Sequence, residues 1–165
     1  GMLRLGRHLG PELAKYYVLT GAAITATDAH EFGIVTRLVE PSAVDEAIRN
    51  LIGEGRPVKD RPRPIPDRFT LWRTLFGTEN TATLLAAKIP PSVDEAVAAK
   101  ILKTLRNKAP LALKLVNQII DRQAKTSRDE GIEIELDNLK AIFATADALE
   151  GLSSLGRKKP EYKGQ

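Results

Sequence analysis

The chain has 165 residues, 42% hydrophobic and 28% charged, which supplies enough apolar material for one packed core and excludes disorder over its whole length. Its 25 Lys and Arg against 21 Asp and Glu leave a net charge of only +4, spread rather than stacked, so no nucleic-acid partner is expected. The absence of cysteine excludes disulfide and thiolate chemistry, two histidines make a metal site unexpected, and no apolar run reaches the roughly 18 residues of a membrane span, so the expectation is a soluble, cytoplasmic protein with no membrane partner.

The opening Gly1-Met2-Leu3-Arg4-Leu5 enters an amphipathic stretch with no leader or turn, which suggests a chain cut from something longer. Pro11 to Gly21 reads as a helix, with Pro in the first turn and Gly in the left-handed terminal position. A short helix follows from Thr27, its expected cap, to Gly33. Ile34 to Glu40 is short, β-branched and bounded by Gly33 and Pro41, and is expected to be a strand in need of a sheet to join. Ser42 to Ile52 reads as a helix with Ser42 set three residues before Asp45 and with Val44, Ala47, Ile48 and Leu51 on one face.

Arg56 to Pro66 carries prolines at 57, 62, 64 and 66 and basic residues at 56, 59, 61 and 63, so an extended surface connection is expected. Beyond it, Phe69 to Phe76 and Asn80 to Ala87 read as short helices, with Trp72 anchoring the first. Ser92 and Glu95 have capping-box spacing before a helix that carries Val93, Val97, Ile101 and Leu105 and ends near Asn107, ahead of Pro110. Ala112, Leu115, Val116, Ile119 and Ile120 form the apolar face of the next helix, with Lys114, Asn117 and Asp121 turned to water. Asp129 to Phe143 repeats the pattern with Ile132, Leu136, Leu139 and Phe143. A last helix from Asp147 to about Leu155 has Asp147 and Glu150 as its expected capping pair and Leu149, Leu152 and Leu155 as a narrow stripe.

Two stretches carry a family signal. Leu3-Arg4-Leu5, Gly10, Leu13-Ala14, Leu19-Thr20-Gly21, Ile24-Thr25-Ala26, Ala29, Gly33-Ile34-Val35 and Val39-Glu40-Pro41 form the first. Phe143, Thr145, Asp147 and Glu150-Gly151, then Arg157-Lys158-Lys159-Pro160-Glu161-Tyr162-Lys163-Gly164, form the second. Together they resemble the enoyl-CoA hydratase/isomerase (crotonase) family, and the proline-rich segment with Lys108 to Ala112 is most similar to members fused behind a 3-hydroxyacyl-CoA dehydrogenase.

That resemblance implies a mainly α fold, the C-terminal helical part of a crotonase-like fold with at most one or two short strands left from its β-β-α core. Residues 1–54 would end the core, 55–67 form a proline-rich basic linker, and 68–165 form a helical oligomerisation region. It implies a parent enzyme of fatty-acid β-oxidation that hydrates 2-enoyl-CoA, with coenzyme A thioester as substrate and NAD only if a dehydrogenase is fused. An isomerase parent and a non-catalytic helical assembly module are the alternatives. The partners implied are acyl-CoA and copies of the chain itself, in the trimer manner of the family.

The family's oxyanion-hole amides and paired glutamates precede Leu3-Arg4-Leu5 in its pattern, so no catalytic residue is assigned here and this part alone is expected to be inactive. Glu130, Glu133 and Asp137 have the spacing of a solvated helix face. The resemblance gives the tail a role in binding CoA: Arg157, with Lys158 adjacent, matches the basic position that approaches the CoA phosphates. Ser154 stands where members often place an aromatic for the adenine. A basic tail that only aids solubility is the competing reading. Tyr16, Tyr17 and Phe32 are read as packing aromatics rather than an acyl pocket, and His8 and His30 as surface or rim histidines.

Overall fold

The computed structural model describes residues 1–55 and 62–165; the stretch of the proline-rich connection between them lies outside the described residues. Helices account for all the regular structure described: α1 (Met2–Leu9), α2 (Pro11–Thr20), α3 (Ala26–Glu31), α4 (Val44–Glu54), α5 (Thr70–Leu75), α6 (Thr78–Leu85), α7 (Glu95–Leu105), α8 (Pro110–Gln123), α9 (Arg128–Phe143) and α10 (Ala146–Ser154), with 3-10 turns at Pro41–Ala43 and Asp67–Phe69. The chain is mainly α, as the resemblance implies.

Helix α2 is the hub, packed against α1, α5, α7 and α8. Pro11 opens it at a position where no intrahelical N–H is needed, and Gly21 closes it in the left-handed conformation at φ 73°. One apolar cluster joins Leu19 to Leu75, Phe76, Leu84 and the Ile101/Leu102/Leu105 face of α7, with Val93, Val97 and Val116 against it. A second joins Leu9, Leu13 and Tyr17 to Phe32 and Phe69, with Ile65 at its edge, so residues on both sides of the proline-rich segment share a core. Tyr16 and Trp72 border both clusters and stack with ring centroids 4.6 Å apart, which anchors α5 on α2. The buried Leu13 and Leu19 are thus covered by the chain's own helices, whereas Val35, Leu38 and Val39 are exposed.

The segment from Ile34 to Glu40 forms no strand. A strand needs a neighbouring edge, and none is offered among the described residues; instead the Ile34 and Val35 amides both donate back to the Ala29 carbonyl. Thr25 rather than Thr27 caps α3, accepting from the Asp28 amide at 3.0 Å. Helix α4 begins after a 3-10 turn with no side-chain cap from Ser42, and its Val44 and Ile48 face solvent. Asp94 caps α7, accepting from the Val97 amide, while Ser92 donates its hydroxyl to Asn80.

Helix α9 starts in a full capping box between Ser127 and Glu130 and packs on α8 and α1. Its apolar stripe does not face inward: Ile132, Leu136, Leu139 and Phe143 are exposed, and Gly131 and Ile134 make the buried side. Gly131 permits this approach, since a Cβ there would lie 2.6 Å from Leu3 Cδ1. Glu135 on the same helix accepts from the Leu3 amide at 2.8 Å and from Gln123 at 2.9 Å, so a carboxylate of α9 satisfies a first-turn donor of α1. Burial opposes its ionisation, but these bonds outweigh it and hold its pKa below the ordinary value.

Candidate functional site

The tail named by sequence folds back along α10. Thr145, not Asp147, is the N-cap of α10, accepting from the Ala148 amide at 3.1 Å. Asp147 is buried, at 3% exposure, and its two carboxylate oxygens accept from the amides of Lys163 at 2.7 Å and Gly164 at 2.8 Å. Its own amide donates to the Gln165 carbonyl. The Tyr162 ring lies over Gly151, where a Cβ would stand 3.1 Å from its hydroxyl oxygen. The chain reverses at Gly156, which has φ 70°.

Glu150 is no cap partner either. Three donors converge on its Oε1: the Ser154 hydroxyl at 3.0 Å, the Lys158 ammonium at 2.9 Å and the Glu161 amide at 3.2 Å. Lys158, then the Glu161 amide and Ser154, push its pKa down to about 2. Glu150 in turn raises the Lys158 pKa through that hydrogen bond.

The three tail residues therefore part company. Ser154 is buried with its hydroxyl on Glu150, so it presents no surface for a flat ring. Lys158 is exposed, but its ammonium is engaged. Arg157 is exposed, and its amide donates to the Ser154 carbonyl at the end of α10. Exposed apolar residues lie on α9 and α10, with Phe143 at 62% exposure and Leu149 at 71%, and Leu155 just past α10 is at 81%.

The remaining sequence candidates are placed as follows. Glu130 accepts from Ser127 in the capping box, and Glu133 and Asp137 are exposed. Tyr17 and Phe32 are core residues, and burial first, then the charge of Asp28, pushes the Tyr17 hydroxyl up to about 12. His8 is buried rather than at the surface, and His30 is half-buried. Asp28 and Glu31 both pair with Arg68, which also lies over the Phe69 ring at 4.7 Å. Composition alone did not single out one groove of about 410 Å³ between α1 and α9, lined by Arg4, Arg7, Arg128, Leu3 and Ile132.

A sequence model of the enoyl-CoA hydratase/isomerase family matches residues 1–164. The chain belongs to that family. Among its relatives, a probable mitochondrial enoyl-CoA hydratase 2 of Arabidopsis thaliana is 34% identical over 68 residues, which are 41% of this chain and 23% of the relative. A short-chain-enoyl-CoA hydratase of Clostridioides difficile is 24% identical over 154 residues, 93% of this chain and 67% of the relative. The matched stretches thus span about a quarter and two thirds of those relatives. No solved structure matches the chain. No helix of this family member is long and apolar enough, among the described residues, to cross a membrane.

Proposed function

We propose that this chain is the helical part of an enzyme that hydrates 2-enoyl-CoA to 3-hydroxyacyl-CoA, and that it supplies packing, a contact between subunits and a phosphate contact to coenzyme A. The observation that carries this reading is the arrangement at α10: a tail whose backbone is fixed on the helix by Asp147 and Glu150, with Arg157 exposed. The family match and the names of both relatives support the reaction class. A guanidinium forks onto phosphate oxygens better than an ammonium does, which favours Arg157 over the lysines as the contact. Among the described residues, Glu130 is spent in a cap, Asp28, Glu31 and Glu150 in ion pairs and Asp147 on main-chain amides, so the water-activating acids are assigned to another part of the enzyme.

Titration with coenzyme A tests this. The chain should bind it weakly, Arg157→Ala should lower that affinity, and crotonyl-CoA should be hydrated by the enzyme that contains this chain but not by the chain alone. Binding that is absent, or that survives Arg157→Ala unchanged, overturns the assignment. The engagement of Ser154 and Lys158 with Glu150 favours a second reading, a helical assembly module that never meets coenzyme A; self-association without any coenzyme A binding would select it.

A further inference from the structure

We propose that Asp147 is a positioning residue: it ties the last residues of the chain onto α10 so that the loop presents Arg157 outward to a phosphate, with Glu150 fixing the other end of the same loop. This rests on the reading of Arg157 as the phosphate contact.

The loop from Gly156 to Lys163 starts and ends on one helix. At its start, Glu150 gathers Ser154, Lys158 and the Glu161 amide on a single oxygen. At its end, Asp147 takes the Lys163 and Gly164 amides, one on each oxygen. A carboxylate that is almost wholly buried and spends both oxygens on main-chain donors is far costlier to place than a surface acid. It fixes backbone rather than side chains, so what it determines is the path of the loop. Tyr162 packed over Gly151 adds a steric stop between the two carboxylates. The basic run 157–159 lies inside this loop, and because the exposed Lys158 ammonium is paired with Glu150, Arg157 and its neighbour Lys159 are left as the outward cations. A free basic tail would present all of them in every direction and lose their conformational freedom on binding; a tied loop has already lost it.

The test uses 3′,5′-ADP as the phosphate probe, titrated calorimetrically into the full chain, with amide hydrogen exchange read in parallel. Asp147→Asn leaves one oxygen and sets an NH₂ against the second amide, so exchange at Lys163 and Gly164 should accelerate and affinity should fall about fivefold to tenfold, the effect of one weakened charge-assisted contact. In an Arg157→Ala background the same change should cost clearly less, since Asp147 acts chiefly through Arg157; equal losses in both backgrounds would overturn the inference. Lys163→Pro removes the backbone donor without touching the core, and Lys163→Ala removes the same charge but keeps the donor. Only the proline variant should weaken binding, and this pair decides the matter if Asp147→Asn fails to fold. Faster exchange with unchanged affinity would overturn the positioning role and leave Arg157 as the contact. No effect of Arg157→Ala itself would overturn both.

Discussion

The Lys15 ammonium lies 2.7 Å from the Asp121 carboxylate, joining α2 to α8, and the two ends differ sharply: the lysine is 1% exposed and the aspartate 36%. Asp121, on the polar face of α8, is partly exposed to water. The lysine has lost almost all its hydration, so its stability depends on the partner more than the partner's depends on it.

That asymmetry predicts unequal costs. Asp121→Ala strands a buried ammonium and should lower unfolding free energy by about 3–5 kcal/mol. Lys15→Met keeps an unbranched apolar chain of similar volume and leaves a carboxylate that water can reach, so it should cost under about 1 kcal/mol. Urea midpoints of the two variants give the answer. Equal shifts would mean that the pair is solvated at both ends.

Glu150 sets a pH dependence. Its folded pKa of about 2 lies below the ordinary glutamate value of 4.5, so its stabilisation of the tail is complete above about 4.5 and is lost as the pH falls through 2. The Glu161 amide resonance, followed by NMR, should therefore titrate near 2. Lys158 is the largest cause of the shift, so Lys158→Met should move that midpoint upward. A wild-type midpoint close to 4.5 would show that the carboxylate is unpartnered in solution.

These relationships mark what the sequence could and could not reveal. Pro11 and Gly21 bracket α2, and Val97, Ile101 and Leu105 fall on the face of α7 that packs, with Val93 packing just ahead of the helix, because terminal chemistry and periodicity are local properties. Which partner meets an apolar stripe is not local. Ile132, Leu136 and Leu139 have the same periodicity as a buried face, yet α9 meets its neighbours through Gly131 and Ile134. The segment from Ile34 to Glu40 has strand composition, but a ladder requires a second edge that composition cannot supply. At the tail, the basic run was legible as Arg157 and Lys158. Its attachment was not, because Asp147 resembles a helix cap until Lys163 and Gly164 are brought back to it by the turn at Gly156.

The outward ridge of α9 and α10 predicts self-association. Leu136, Phe143, Leu149 and Leu152 are all more than half exposed, an apolar surface of the kind that marks an interface. Sedimentation at micromolar concentration should show a dimer or larger species, and Phe143→Glu combined with Leu136→Glu should shift it toward monomer without loss of helicity. A wild-type monomer would exclude this role for the ridge.

The stack of Tyr16 on Trp72 links the two core clusters, so its loss should be felt across both. Rings 4.6 Å apart and 13° from parallel should couple by about 0.5–1.5 kcal/mol beyond the area they bury. In a cycle of Tyr16→Leu, Trp72→Leu and the double variant, the double variant should therefore be less destabilised than the two single losses added together. Because Trp72 is the sole tryptophan, the unfolding of its variants must be followed by circular dichroism rather than fluorescence. Strict additivity would mean that the two rings do not couple and that α5 is held to α2 by Leu75 and Phe76 instead.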